Sequence, residues 1–262
     1  MRLFDDVGPS TLAWLRVLVG GIVLLVVVGP RGTVPWTRRD AVVAGTFGTV
    51  TALMNLTFYL AIDRLPLGKG VTIEFIGPIA VAAVTTRTGR NAGALLLAAA
   101  GVVVLGGLEV GDEPLGLAFI LLASVMWAGY IVAGSRVALG DRGLSGLAVG
   151  LVAGSLVIAP FGAPGAGAAF SSPSILAGCI AVGVLSSAIA YGIDQGVLRR
   201  IPVRRFSVML ALLPVTATVF GLVFLGQRPN ALDALGMVLV LAGVAVQERE
   251  RHHRPHLEEL TA

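Results

Sequence analysis

Residues 71–80 read VTIEFIGPIA, and this stretch shows what kind of fold the chain must adopt. Glu74 stands in an otherwise apolar run, three and four residues before Gly77 and Pro78. The 262-residue chain is 56% hydrophobic and only 13% charged, whereas soluble domains carry about 25% charged residues. Its mean hydropathy is +0.90. A carboxylate within such a chain therefore indicates a functional or paired group inside a polytopic membrane protein.

Nine apolar stretches are long enough to cross roughly 30 Å of hydrocarbon. Their uniform apolarity predicts α-helices and not barrel strands, so the expected fold class is an all-α polytopic membrane protein. The connections are short, and no soluble domain is inserted between the spans. The predicted spans cover about 10–29, 41–61, 70–86, 92–108, 115–135, 144–161, 174–197, 204–225 and 231–247.

The basic residues predict the orientation of these spans. With alternating sides, fourteen arginines fall on one side and four basic residues on the other, while Arg16 lies inside a span, which accounts for all 19. The positive-inside rule places the side with fourteen in the cytoplasm, together with the C-terminus. The polar segment 249–262 is then a cytoplasmic tail.

The two halves of the chain resemble each other at an offset of 136 residues. The residues R-L-P-L from Arg64 match R-I-P-V from Arg200, and Pro78 matches Pro214. Five crossings separate the matched spans, and this odd number predicts two inverted repeats. We expect the first repeat at 1–110, with four of its five helices, and the second at 111–248. The expected fold is thus a ten-helix protein whose first helix is missing here.

Glu74 is the strongest candidate for a functional residue. Pro78 has no N–H, so the carbonyl group of residue 74 loses its helical partner, and Gly77 allows a bend or a close helix contact. Kinked helices near the midplane hold substrates and ions in many transporters. The alternatives are a packing kink and a structural ion pair. Pro214 predicts a second kink, where Leu210 replaces the acid.

Other polar side chains share helix faces, which is typical of a cavity wall. Ser187, Tyr191 and Asp194 are four and three residues apart, so they lie on one face. Asn55 pairs with Tyr59 and Trp127 with Tyr130 at similar spacing; the aromatic residues have the alternative of anchoring the helices at the membrane interface. The predicted binding residues are Arg16, Asn55, Tyr59, Glu74, Trp127, Tyr130, Tyr191 and Asp194.

The three ionisable residues well inside spans, Arg16, Glu74 and Asp194, suggest the chemistry of a ligand. The Arg16 guanidinium either binds a carboxylate or extends outward to the lipid headgroups. One cation with one or two carboxylates suits a zwitterion such as an amino acid. A carboxyl group in a low dielectric takes up a proton readily, so Glu74 and Asp194 are the candidates for proton coupling.

Several function classes lack support in the sequence. There is no phosphate-binding loop for ATP and no protease motif, so we expect neither an enzyme nor a cofactor. Cys179 is the single cysteine, and all three histidines lie in the tail, so no metal site is expected. The arginines are spread over short loops and do not indicate nucleic-acid binding. The expected partners are a small solute, protons and the lipid bilayer, with a homodimer left open.

Four segments carry a resemblance to a known family: 65–82 (LPLGKGVTIEFIGPIAVA), 125–138 (VMWAGYIVAGSRVA), 185–194 (LSSAIAYGID) and 201–227. They resemble the EamA-type drug/metabolite transporters, most closely the inner-membrane threonine/homoserine exporters. The resemblance implies ten helices in two inverted EamA repeats. It also implies export of amino acids across a bacterial inner membrane, driven by the proton gradient. The family's polar positions would fall on Arg16, Asn55, Tyr59, Glu74, Trp127, Tyr130 and Asp194.

The expected function is a proton antiporter for threonine-like amino acids or related metabolites, with alternating access around Glu74. A broad-specificity drug/metabolite carrier is one alternative, because a larger apolar cation would not need Arg16. A non-transporting membrane scaffold that lacks its first helix is another. A substrate panel distinguishes the first two.

Overall fold

A computed structural model describes residues 2–28, 35–65, 67–86, 88–106, 113–140, 142–213, 215–216, 219, 223 and 230–246. The described residues form helices, turns and loops, and no strand occurs among them. The predicted all-α class is therefore confirmed. Pro214 and the predicted tail 249–262 lie outside the described residues.

Thirteen α-helices are labelled in chain order within the described ranges. The first seven are α1 Arg2–Val7, α2 Pro9–Val28, α3 Arg38–Ile62, α4 Leu67–Glu74, α5 Ile76–Thr85, α6 Gly89–Gly106 and α7 Pro114–Leu139. The remaining six are α8 Gly143–Gly162, α9 Ala166–Phe170, α10 Pro173–Gly183, α11 Ala190–Leu198, α12 Val203–Leu210 and α13 Ala231–Val246. A π-helical segment, Val184–Ile189, joins α10 to α11 without a break.

Each of the nine predicted spans coincides with helical structure, although the eighth is described mainly through α12. Five described helices are long and apolar enough to cross a membrane, and three shorter apolar helices accompany them. Hydrocarbon offers no hydrogen-bond partner to a backbone, so helices that satisfy their own N–H and C=O groups are the expected outcome. The five long ones are Pro9–Val28, Arg38–Ile62, Pro114–Leu139, Gly143–Phe170 and Pro173–Leu198.

Glycines let the central helices approach closely. Helix α3 packs along both α7 and α8, and α8 also packs along α2. A Cβ atom on Gly48 of α3 would collide with the backbone of Gly150 in α8. Gly154 faces the Gly48 carbonyl in the same way. Small residues at such crossings allow the backbone contact that associates helices in a membrane.

The helix boundaries repeat at the offset that the sequence predicts. Adding 136 to the bounds of α4 gives 203–210, which are the bounds of α12. The same shift carries α3 onto 174–198, which is the stretch from α10 to α11. Helix α2 maps onto α8 and α6 onto α13, and the two members of each of these pairs pack against each other. The fold is thus built from two related halves in contact.

The predicted kink at Glu74 is present. Helix α4 ends at Glu74, Phe75 is a turn residue, and α5 begins at Ile76. A Cβ atom on Gly77 would collide with the Ser124 carbonyl, so this glycine permits close packing of α5 on α7. In the second half, α12 ends at Leu210 and Ala211 is a turn residue. Phe75 and Ala211 are 136 residues apart, so both halves are interrupted at equivalent positions.

Candidate functional site

A cavity of about 270 Å³ lies among α2, α3, the α4–α5 kink, α7, α11 and the residues that follow α12. Its volume is slightly below the roughly 300–1,000 Å³ of typical ligand sites, so it suits a small solute. Ionisable, amide and aromatic side chains share its wall with apolar ones. The lining residues are Arg16, Met54, Asn55, Phe58, Glu74, Trp127, Tyr130, Ala190, Tyr191, Asp194, Leu210 and Leu213.

Arg16 is held at the cavity by three hydrogen bonds. Its Nε donates to the Ser187 hydroxyl at 3.2 Å, one terminal nitrogen donates to the Tyr59 hydroxyl at 3.1 Å, and the other donates to the Ser186 carbonyl at 2.9 Å. Ser186 and Ser187 belong to the π-helical segment, and such bulges are frequent at functional sites. A Cβ atom on Gly20 would crowd Ser187, so this glycine brings α2 next to that segment.

The orientation of Arg16 decides between the two expectations for it. The side chain points into the protein and not outward to the headgroups, so the snorkelling alternative is wrong. Neither Glu74 nor Asp194 lies within ion-pair distance of it in the described part of the chain. A guanidinium has five N–H donors, and three of them are used. Two N–H groups are therefore left for a ligand that carries an acceptor.

Glu74 borders the cavity at the end of α4 and is only 7% exposed. Its carboxylate forms no hydrogen bond or ion pair with any other described residue. The kink positions it: the Phe75 ring packs edge-on against Trp127, with ring centroids 4.9 Å apart, and Gly77 fixes α5 against α7. A buried carboxylate without a partner is costly in hydrocarbon. Its most favourable partners are a proton and a cationic ligand.

Asp194 and Tyr130 form a hydrogen bond across the cavity wall. The buried Tyr130 hydroxyl donates to the Asp194 carboxylate at 2.7 Å. The Asn55 amide nitrogen donates to the Tyr191 hydroxyl at 2.7 Å and to the Thr51 carbonyl at 2.7 Å. The rings of Tyr130 and Tyr191 lie 5.5 Å apart, so α3, α7 and α11 are tied together beside the cavity. Asp194 thus has a fixed partner, whereas Glu74 has none.

The structure brings the predicted residues together in one place. Seven of the eight predicted binding residues line the cavity, and Tyr59 contacts Arg16 beside it. Gly77 and Pro78 are buried next to the kink. The mid-span pair Trp127 and Tyr130 lies at the cavity, as a cavity wall requires. Whether these residues bind a substrate or a proton stays a prediction.

Sequence reasoning missed the apolar part of the wall: Met54, Phe58, Ala190, Leu210 and Leu213. The repeat offset was the signal that could have found most of them. The sum of 54 and 136 is 190, that of 58 and 136 is 194, and that of 74 and 136 is 210. Shifting each predicted residue to its counterpart therefore identifies further lining residues.

The cavity sits where the two halves meet. Asn55 donates its hydrogen bond to Tyr191, which is its own counterpart 136 residues later. Two equivalent residues touch directly only near the axis that relates the two copies. The lining pairs are Met54 with Ala190, Asn55 with Tyr191, Phe58 with Asp194, and Glu74 with Leu210.

Gln195 is a further residue that the sequence did not single out. It follows Asp194 on α11, is only 1% exposed, and both polar atoms of its amide group lack a hydrogen bond. A buried amide without partners costs about 1–3 kcal/mol. Gln195 is the counterpart of Tyr59, which contacts Arg16.

Two related halves, paired helix interruptions and a central polar cavity define a membrane transport protein built from structural repeats. Residues 114–247 match the EamA-like transporter family. With the relatives described next, this match shows that the chain belongs to the EamA-like transporter family.

The relatives and a solved structure agree with this assignment. The threonine/homoserine exporter RhtA of Salmonella typhimurium (strain LT2) is 32% identical over 245 residues, covering 92% of this chain and 82% of the relative. RhtA of Escherichia coli (strain K12) is 33% identical over 244 residues, covering 90% and 81%. One crystal structure aligns with a TM-score of 0.75 at 21% identity, covering 93% of this chain and 90% of the other. The resemblance read from the sequence is confirmed, and the relatives are transporters and not enzymes.

Proposed function

We propose that this chain exports small amino acids of the threonine/homoserine type across a bacterial inner membrane by proton antiport, with alternating access around Glu74. The observation that carries the proposal is the convergence of Arg16, Glu74 and Asp194 on one small cavity between the two halves. The named activity of the relatives supports the choice of substrate.

The wall of the cavity is complementary to a zwitterion. The two unused N–H groups of Arg16 bind the carboxylate of the amino acid, because a guanidinium matches a carboxylate with two parallel hydrogen bonds. The free Glu74 carboxylate accepts the ammonium group. Apolar side chains such as Met54, Phe58 and Leu210 enclose the remainder of a short side chain. A volume of about 270 Å³ favours such a solute over a large drug.

Glu74 couples the substrate to the proton. A carboxyl group that binds a proton loses its attraction for an ammonium group, so proton and substrate compete for the same oxygens. Asp194 already accepts a hydrogen bond from Tyr130, and we assign it the secondary part of keeping the cavity acidic. Leu210 takes the place of Glu74 in the second half, so the central acid is present once.

The interrupted helices provide the movement between the two open states. Alternating access in repeat transporters is largely a rocking of one structural unit against another around a fixed site. The interruptions at Phe75 and Ala211 lie next to lining residues, Glu74 and Leu210, and give each half a point of bending. The excess of arginines on one side supports a cytoplasmic C-terminus.

Proteoliposomes with an acidic lumen test the coupling. The measured quantity is the ratio of labelled threonine or homoserine uptake with the pH gradient to uptake without it. Wild-type protein and Glu113→Gln, which changes an exposed acid at the start of α7, should show a ratio well above one. In Glu74→Gln the ratio should fall to one although the protein still inserts.

A ratio in Glu74→Gln equal to that of the wild type would refute proton coupling through Glu74. A panel of substrates tests the other part of the proposal. Efficient wild-type transport of large apolar cations, without transport of threonine or homoserine, would establish the broad-specificity carrier instead.

A further inference from the structure

A second cavity, of about 370 Å³, lies at one end of the helix bundle. It is bordered by the first residues of α3, the last residues of α7 and the start of α8. Three arginines and one aspartate contribute its charged groups, and no other charged residue lines it. Its lining residues are Arg39, Asp40, Val43, Ala44, Arg136, Val137, Leu139, Gly140, Arg142 and Gly146.

The single acid at this cavity is already engaged. The Asp40 carboxylate accepts the Thr37 backbone N–H at 3.1 Å in a capping box at the start of α3. The same oxygen accepts the Arg142 Nε at 3.1 Å. Arg142 also stacks over the Trp36 ring, 5.1 Å from its centroid. Asp40 and Arg142 therefore neutralise each other and stiffen one wall.

The other two arginines are free to meet a ligand. Arg39 and Arg136 are exposed, and neither forms a hydrogen bond or ion pair with any other described residue. The cavity therefore carries a net charge of about +2 (three arginines against Asp40). The N-termini of α3 and α8 also point their positive dipole ends here, while Arg136 offsets the negative end of α7 in its last turn. This arrangement attracts an anion with several acceptor oxygens.

One side of the cavity is apolar and continues onto the outer surface of the bundle. Val43, Val137 and Leu139 line it, and the Leu139 side chain is 72% exposed. Trp36 is 41% exposed nearby, at a depth where aromatic rings meet lipid headgroups. A ligand that combines a negative head with an apolar chain satisfies both parts of this surface, which a free inorganic ion does not.

We propose that this cavity binds the phosphate group of an anionic phospholipid. Arg39 and Arg136 hold the phosphate oxygens by charge-assisted hydrogen bonds, and an acyl chain lies along Val43 and Leu139. Basic cavities between membrane helices bind anionic lipid headgroups in this manner. The site is separate from the central cavity, so it stands or falls independently of the proposed substrate.

Native mass spectrometry of the full chain, delipidated in detergent, tests the proposal. The probes are phosphatidylglycerol, phosphatidylcholine and inorganic phosphate, each titrated alone. The double variant Arg39→Gln/Arg136→Gln removes the two free cations. The matched control, Arg199→Gln/Arg200→Gln, removes two exposed arginines that line a different cavity, so the net charge of the chain changes equally.

Wild-type protein and the control should bind phosphatidylglycerol alike, and the Arg39/Arg136 variant about tenfold or more weaker, because each surface arginine contributes roughly a factor of five toward anionic lipid. Arg39→Lys/Arg136→Lys keeps the charge and should recover most of the binding, which separates a lost site from a misfolded protein. Equal affinity of the wild type and the Gln variant would overturn the proposal. Binding of inorganic phosphate or phosphatidylcholine as tight as that of phosphatidylglycerol would overturn it as well.

Discussion

Replacing Arg16 with lysine tests how the cavity recognises a carboxylate. The guanidinium has five N–H donors, and the Ser187 hydroxyl, the Tyr59 hydroxyl and the Ser186 carbonyl take three of them. Two donors are left for a substrate. A lysine ammonium has only three donors, which the same three acceptors can use completely. Arg16→Lys therefore keeps the charge and can keep the packing, but it leaves no donor for the ligand.

The magnitude follows from the strength of the lost contact. A hydrogen bond to a charged group contributes about 1.5–3 kcal/mol, and every 1.4 kcal/mol changes affinity tenfold. The apparent KM for threonine should therefore rise about 10- to 100-fold in Arg16→Lys. The assay is counterflow in proteoliposomes, which measures exchange without a proton gradient. Arg64→Lys, at an exposed arginine that pairs with Asp63 at 3.6 Å, should leave KM unchanged.

A substrate analogue makes this test specific. Threoninamide lacks the carboxylate that Arg16 is predicted to bind, so the wild type should bind the amide far more weakly than threonine. In Arg16→Lys the two ligands should differ little, because the protein no longer offers the two-pronged contact. If the amide loses as much affinity in Arg16→Lys as in the wild type, Arg16 does not bind the carboxylate and our reasoning is refuted.

Two further predictions concern packing and the cavity wall. Gly48→Ala should lower the thermal midpoint in detergent by several degrees, since its Cβ atom collides with α8, whereas Gly45→Ala on the same helix meets no atom within 4 Å and should have little effect; equal midpoints would contradict the close approach of α3 and α8. Tyr130→Phe removes the hydrogen bond to Asp194 and should weaken substrate counterflow about five- to tenfold, because a bond to a charged group is lost; an unchanged KM would show that this bond does not organise the cavity.

Much of this fold could be predicted because the membrane limits the backbone to helices. The spans followed from apolar runs, and the kink at Glu74 followed from Gly77 and Pro78. The two halves were visible as a shift of 136 residues, which the bounds of α4 and α12 reproduce. Polar residues in hydrocarbon are rare, so those at the cavity could be picked out individually.

The sequence by itself thus determined the membrane class, the positions of the helices, the repeat and the polar candidates, because these depend on local apolarity and on hydrogen bonds within single helices. Only the tertiary structure decided which side chains meet. It joined Arg16 to Tyr59 and to a π-helical segment about 170 residues away, and not to Glu74 or Asp194. It also set Asn55 against its own repeat counterpart. Such pairings depend on glycine contacts and crossing geometry between distant helices, which no local pattern of residues specifies.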